Sequence, residues 1–352
     1  MTRADLVDLL SAAGPATIEH IRQEAEVTLL RCCGNKVYYR GLIEFSNICA
    51  NDCFYCGIRT GNAGVKRYHL SKGEIVETAL WCAEQGYGSV VLQSGERRDE
   101  PFISFVEETV REIKTRSVTE KLPRGLGITL SVGEQTIETY RRFFAAGAHR
   151  YLLRIETTDP QLFAAIHPDH QTLDARIAAL DALKKAGFQV GTGVMIGLPG
   201  QTVDQLTRDL LFFRKIDVAM IGMGPFIVHK DTPMALWPDA ADRTSQQRLD
   251  LALRMIAAAR LLLKDVNIAA ATALQAIDPQ GREEGLRWGA NVIMPLVTPV
   301  AVRKQYQLYD GKPCLDESAQ KCTECLAARV RSIGREIGYN EWGDSRHFGR
   351  KR

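Results

Sequence analysis

The sequence predicts an α/β protein built as a (β/α)8 barrel of the TIM type. Two observations predict it. Strand and helix patterns alternate in about eight steps over roughly 260 residues, the count and length of a closed eight-stranded barrel. The informative polar residues fall where the strand runs end, the side of a barrel on which chemistry gathers. A helical extension over residues 1–36 leads into the barrel at 37–297, and a tail over 298–352 is irregular and then helical. A doubly wound open sheet is the alternative architecture.

The elements follow in order. Leu6, Leu9 and Leu10, then Ile21, Ala25, Thr28 and Leu29, recur at helical spacing. Gly14-Pro15 separates these two helices. Cys32 and Cys33 are adjacent, a poor geometry for holding one metal, and read as buried or reduced thiols. Residues 37–46 are β-rich and form the first strand. Ser71-Lys72-Gly73-Glu74 is a capping box, with a helix running through Ile75, Ala79 and Cys82 to near Gly86. Cys82 falls on its apolar side and reads as core. Residues 88–94 form a buried strand. The unit then recurs: strand 125–131 with helix 134–146, and strand 149–156 with helical segments within 159–186. Strand 188–196 precedes helix 202–215, and strand 218–226 precedes the long helix 243–264. Strand 267–274 precedes helix 281–288, and strand 290–296 comes last. Arg346, Arg350, Lys351 and Arg352 give a basic end that reads as a solvated terminus.

The bulk numbers exclude several classes. Hydrophobic residues make up 45% and charged residues 25%, an ordinary globular balance. A net charge of +3 is too slight to argue for a nucleic acid or a membrane surface as partner. No apolar run approaches the roughly 18 residues of a membrane span. The N-terminal residues show no signal-peptide h-region. The nine cysteines stand as clustered triplets and strays, which argues for metal ligation in a reducing cytoplasm over disulfides.

The first triplet, Cys49, Cys53 and Cys56, has C-x3-C-x2-C spacing directly after the first strand. A loop this short can wrap three thiolates around one face of a cubane iron–sulfur cluster. Such clusters normally take four cysteines, so one iron stays free for a small ligand. The alternatives are a zinc knuckle or three unrelated thiols. Zinc wants a fourth nearby ligand, and the next histidine, His69, lies beyond the usual spacing. The stretch, with Tyr55 before the third cysteine, resembles the signature of the radical SAM superfamily. There the free iron chelates S-adenosylmethionine (SAM) through its amino and carboxylate groups.

The strand ends supply further candidates. Ser94-Gly95-Glu96 resembles the superfamily's Gly-Gly-Glu motif, which contacts the methionine amino group; alone it can be a mere turn. Thr129 and Ser131 end strand 3, and Arg154 and Glu156 end strand 4 on one face. Glu156 suits an ammonium or hydroxyls, and Arg154 or Arg176 a carboxylate, although Arg154 and Glu156 can also form a mutual ion pair. Gly191-Thr192-Gly193 and Ile196-Gly197-Leu198-Pro199-Gly200 either admit an adenine ring or make a tight turn. Met294, Tyr306 and Leu308 complete an apolar adenosine pocket, with core packing as the other reading. Thr272 sits at the expected end of strand 7. A second triplet, Cys314, Cys322 and Cys325, has C-x7-C-x2-C spacing in the tail. The tail offers no fourth thiol, so a [2Fe-2S] form, water or an external thiol is required for a [2Fe-2S] or [4Fe-4S] centre.

Several stretches narrow the resemblance: residues 40–47 running into Cys49, then 91–96, 197–202, Gly224-Pro225-Phe226 and 288–295. Together with the tail triplet they resemble the HydE family of radical SAM maturases of [FeFe]-hydrogenase, over most of the chain. The resemblance implies a monomeric barrel with a large internal cavity, a [4Fe-4S] cluster on Cys49, Cys53 and Cys56, SAM, and a second iron–sulfur cluster. It implies reductive cleavage of SAM to a 5′-deoxyadenosyl radical and a cysteine-bound iron carbonyl–cyanide substrate on the way to the H-cluster. The electron donor would be a ferredoxin or flavodoxin. The implied partners are a tyrosine-cleaving radical SAM maturase and a GTPase scaffold. One departure stands out: the family leads us to expect two adjacent threonines at the end of strand 7, where Ala271 and Thr272 stand. Biotin synthase and methylornithine synthase are the rival enzymes, and a non-catalytic iron–sulfur carrier is the rival from another class.

Overall fold

Residues 36–46 form the longest strand because their apolar side chains are covered on both faces, as in a buried parallel sheet. The computed structural model describes residues 1–240 and 242–350. Eight parallel strands form the barrel wall: β1 (Lys36–Ser46), β2 (Ser89–Ser94), β3 (Gly127–Ser131), β4 (Arg150–Leu152), β5 (Gln189–Thr192), β6 (Met220–Ile221), β7 (Asn267–Ile268) and β8 (Val292–Ile293). Each pairs with the next, with Val91 opposite Thr129, Thr129 opposite Arg150, and Met220 opposite both Gly191 and Asn267. β8 pairs with β1 at Val292 and Tyr38. A bridge between Ala269 and Val292 joins β7 to β8, with Ala270 N donating to Val292 O at 2.9 Å. These bonds close the ring.

Several strands are shorter than the apolar runs suggest. β5 stops at Thr192, and a separate pair, Met195–Ile196 with Gly224–Pro225, continues the wall above β5 and β6. Gly193 lies so close to the Gly222 carbonyl that a β-carbon has no room, so the backbones cross there instead of continuing the ladder. After β7 the chain turns at once into the helix Thr272–Ile277. Thr272 is therefore the first residue of a helix, not the last of a strand.

The helices begin where the local chemistry provides a cap. Pro15 opens Pro15–Cys33 after Gly14 at φ +86°, which breaks it from Arg3–Ser11. Both bonds of the Ser71/Glu74 capping box form. Glu100–Arg116, absent from the expectations above, is capped by Asp99 and buries Phe102, Val106, Val110 and Ile113 along one face. Among the described residues no helix is long and apolar enough to cross a membrane.

The tail returns to the N-terminal end of the barrel. Glu336–Ile337 pairs with the start of β1. The Trp342 carbonyl accepts from Ser89 Oγ at 2.7 Å and from Arg150 at 3.0 Å. The Gly343 carbonyl accepts from Arg40 at 3.1 Å and Asn267 at 2.8 Å. Arg346 donates to the Cys32 carbonyl and Arg350 pairs with Asp265 at 2.9 Å; both cations stay exposed, as a solvated end does, while each keeps a protein partner. Lys351 and Arg352 lie outside the described residues. Just above this plug, Arg40, Thr129, Met220, Asn267 and Met294 help line a cavity of about 20 Å³, room for one water. The buried Arg40 and Met220 side chains occupy the space that a large cavity would need here.

Candidate cluster and cofactor site

The three-cysteine loop is held from below. Asn47, just past β1, donates to Lys66 O at 2.9 Å and Gln305 O at 2.7 Å, and accepts from Tyr68 N. Arg67 donates to the carbonyls of Asn47 and Ile58. Asp52 accepts from Arg59 and from Gly61 N, closing the far side of the loop. Cys49 Sγ receives the N–H groups of Asn51 and Glu96, both at 3.4 Å. Cys53 Sγ lies 3.2 Å from Gln171 Oε1.

Burial pushes all three thiols up, Cys53 to about 12 and Cys56 well above its usual value; the Cys49 sulfur pushes Cys53 further, and Cys53 and Cys49 push Cys56 further. Three thiolates therefore coexist here only around bound positive charge, as metal coordination supplies. The two backbone N–H groups on Cys49 suit a thiolate acceptor. The residues fit a three-cysteine cluster.

Ser94-Gly95-Glu96 lies directly against this loop. A β-carbon on Gly95 would stand 2.7 Å from Cys49 Cβ and 2.8 Å from the Ile48 carbonyl carbon. Ala50 N donates to Glu96 O at 2.8 Å, and Ser94 Oγ donates to Gly95 O at 2.7 Å. The Glu96 carboxylate accepts from Arg98 at 2.7 Å and from Glu134 N at 2.9 Å. Glu134 in turn pairs with Arg176, which also donates to the Arg154 carbonyl. Arg176 is thus buried in a charge network with Glu134, near Tyr55 and Glu96.

Arg154 and Glu156 make the mutual ion pair, at 2.9 Å. Glu156 Oε2 is the oxygen of that pair, and Arg154 Nε is left without a hydrogen-bond partner. Glu156 has φ +66°, a conformation side chains other than Gly rarely adopt. An unpartnered guanidinium nitrogen beside a carboxylate on a strained backbone is a feature expected where a polar ligand is received. Ser131, half-buried at the end of β3, shares a face with Thr129 two residues below. Thr129 accepts from the buried Arg150 at 3.0 Å, which ties it to the plugged end of the barrel. Thr272 accepts from Arg282 at 3.4 Å, while Ala271 stands at the N-cap with no hydroxyl to offer.

Tyr306 is buried, with its hydroxyl 3.3 Å from Gln93 Nε2, and Met294 packs on Leu42, Val91 and Leu296. The Leu308 carbonyl accepts from Gly57 N, which brings this wall onto the cysteine loop. The Gly197–Gly200 stretch is a tight turn closed by Gln201, whose Oε1 accepts from Gly197 N at 2.7 Å.

Three site residues escaped the sequence reading. His167 is buried, donates Nδ1–H to Phe163 O and meets the Tyr55 hydroxyl at 3.3 Å. Gln171, four residues on, reaches Cys53. Nothing in the spacing marks this turn beyond a polar run between two helices. In the tail, the ligand atoms of Cys314, Cys322 and Glu317 lie within 4.8 Å of one another. Glu317 is the third missed residue. Cys325 is exposed and faces Arg329.

The radical SAM superfamily model matches residues 43–213. The [FeFe] hydrogenase maturase subunit HydE of Thermotoga maritima is 41% identical over 353 aligned positions, covering 100% of this chain and 94% of the relative. The chain belongs to the HydE family. That membership implies one [4Fe-4S] cluster and SAM. Among solved structures, methylornithine synthase superposes with a TM-score of 0.79 at 24% identity, covering 96% of this chain and 94% of that one. The FeFe-hydrogenase maturase HydG of Carboxydothermus hydrogenoformans gives 0.78 at 18% identity, covering 94% and 75%. Both show the barrel fold of this HydE-family chain.

Proposed function

We propose that the chain cleaves SAM reductively and acts in maturation of the [FeFe]-hydrogenase H-cluster. The observation that carries this is the 41% identity over the whole chain to a HydE maturase, joined to a cysteine loop whose Cys49 sulfur accepts from the Glu96 N–H. Cys49, Cys53 and Cys56 hold the [4Fe-4S] cluster. When bound, cluster and SAM supply a 5′-deoxyadenosyl radical.

The chain's residues position the reactants. Tyr55, Ser94, Gly95, Glu96, Ser131, Glu156 and Arg176 line the SAM side, and Met294, Tyr306 and Leu308 wall the adenosine. Glu96 or the carbonyls beside it receive the ammonium, for which Gly95 leaves room. Arg154 and Thr272 are the substrate groups: the free Nε of Arg154 suits a carboxylate. Thr129 joins this set from its place two residues below Ser131 on the same strand face. Radical transfer requires the target atom close to the adenosyl carbon, so these groups act by placement.

The substrate in this reading is a cysteine-bound iron carbonyl–cyanide species. The electron donor is a ferredoxin or flavodoxin. The tyrosine-cleaving maturase and the GTPase scaffold flank the step, in the cytoplasm, with the chain acting as a monomer. The tail holds a second iron–sulfur centre that radical formation does not need. The domain bounds are 1–36, 37–297 and 298–352.

The test is H-cluster assembly in a defined cell-free system with and without the chain. Hydrogenase activity should appear only with it. Activity on dethiobiotin or lysine in its place would assign the chain to biotin or methylornithine chemistry.

A further inference from the structure

Glu156 keeps its positive φ because the chain on both sides of it is held. Thr157 N donates to Ile155 O at 2.9 Å, closing a γ-turn across Glu156 at φ +66°. That hand of the γ-turn is rare and strained. Glu156 N donates to Gly193 O at 3.1 Å, and Glu156 O accepts from Met195 N at 3.0 Å, which ties Glu156 to the neighbouring strand segment. Such a conformation persists only where its surroundings over-determine it. The bonds that hold the far side of the turn come from a helix outside the barrel wall.

Asp209, fully buried on the helix Val203–Lys215, accepts from Thr158 N at 2.7 Å and from Thr158 Oγ1 at 2.6 Å, both through Oδ1. Its Oδ2 has no partner. Arg208, the residue before it, pairs with Asp159 at 3.1 Å, and Asp159 caps the next helix by accepting from Leu162 N at 2.9 Å. Successive helix residues thus grip the successive residues that follow the turn. The helix itself does not need Asp209, because Thr202 and Gln205 already cap its start. An apolar side chain would fill this core position without the cost of burying a carboxyl group. Burial pushes Asp209 up to about 7; the Thr158 bonds and Arg208 pull against that rise, and Asp159 adds to it. What the carboxylate gains is a pair of short, charge-assisted bonds to the residue two positions past Glu156.

We propose that Asp209 is a positioning residue for SAM: it grips Thr158 and, through the strained turn, sets the Glu156 carboxylate where the cofactor meets it. Asp209 acts through the backbone and not by contact with the reacting groups. The proposal rests on the reading of Glu156 as a SAM residue.

The test uses the full chain, reconstituted anaerobically. Amide hydrogen exchange over residues 155–159 is read before SAM is added. SAM affinity is then read from the change SAM makes in the EPR signal of the reduced cluster. Asp209→Ala should exchange faster over this segment and bind SAM about tenfold more weakly or worse. Its rate of 5′-deoxyadenosine formation at saturating SAM should stay within about twofold of the wild type, as expected when only binding is lost. Asp209→Asn keeps an acceptor and should recover part of the affinity. Thr158 is half-buried, so its variants spare the core if Asp209→Ala folds poorly. Thr158→Val should lose part of the affinity, and Thr158→Ser should match the wild type. Leu210→Ala, a buried neighbour on the same helix, lowers stability without removing a bond to the turn and should keep wild-type affinity. Wild-type affinity in Asp209→Ala and Thr158→Val, with Glu156→Ala impaired, would overturn the proposal. Equal weakening in Leu210→Ala would also overturn it, since any loss of stability would then suffice. If Glu156→Ala binds SAM as the wild type does, the reading of Glu156 as a SAM residue falls, and the positioning role with it.

Discussion

Lys312 meets Glu44 inside the protein, with its ammonium 2.6 Å from each carboxylate oxygen. The same ammonium donates to Tyr306 O at 2.8 Å. This pair pins the tail's loop to β1. The loop then lays Gln305 O on Asn47 and Leu308 O on Gly57, so the tail forms one wall over the cysteines. Burial pushes the Glu44 carboxyl up, and Lys312 pulls it back.

Breaking that pair leaves a buried charge alone. Lys312→Met should destabilise the protein by about 3–5 kcal/mol in urea unfolding. Adding Glu44→Gln should recover most of the loss. A Lys312→Met protein as stable as the wild type contradicts the pairing.

Acid should act through two histidines. Burial lowers His149 to about 3, with Arg150 adding to the effect against Asp344. Burial lowers His167 to about 4, against the Phe163 carbonyl. Both bind a proton more readily unfolded, near the ordinary value of 6.5. Their contribution is therefore intact above pH 6.5 and is lost as the pH falls toward 4 and then 3. Unfolding free energy of the metal-free chain should drop by about 1.4 kcal/mol per pH unit per histidine within that window. His149→Phe should remove about half of the slope.

Gly95→Ala tests the contact between the Ser94–Glu96 turn and the cysteine loop. The added carbon has 2.7 Å to Cys49 Cβ, and the flanking atoms are backbone. One side must move. SAM binding should weaken by about tenfold or more, and the chain should still fold. Unchanged SAM affinity argues that the turn does not touch the cofactor.

Gln171 should tune the cluster. Presented with a thiolate on Cys53, its amide turns Nε2–H to the sulfur, since the amide's orientation follows the acceptor. A hydrogen bond to a cluster sulfur raises the reduction potential. Gln171→Leu should lower the potential in an EPR-monitored titration and leave iron content unchanged. An unshifted potential removes Gln171 from the cluster's surroundings.

The barrel and the first cysteine loop were legible because both are local signals. Alternation is written residue by residue, and C-x3-C-x2-C spacing sits in one turn of chain. The strand ends from β4 to β7 were not, because Gly193 and Glu156 interrupt the ladder by close approach and positive φ, which apolar runs do not encode. Lys312 and Glu44 are 268 residues apart and carry no local mark. Glu317 stood unread between two cysteines because a lone carboxylate in a polar tail resembles any solvated one. Its meaning comes from the fold that places it beside two sulfurs.

On the proposed function, Cys49, Cys53 and Cys56 hold the cluster that cleaves SAM. The most direct measurement is 5′-deoxyadenosine formed after anaerobic reconstitution and reduction, in the wild type and in Cys53→Ala. The wild type should give product and the variant none above background. Equal 5′-deoxyadenosine from both would contradict that assignment.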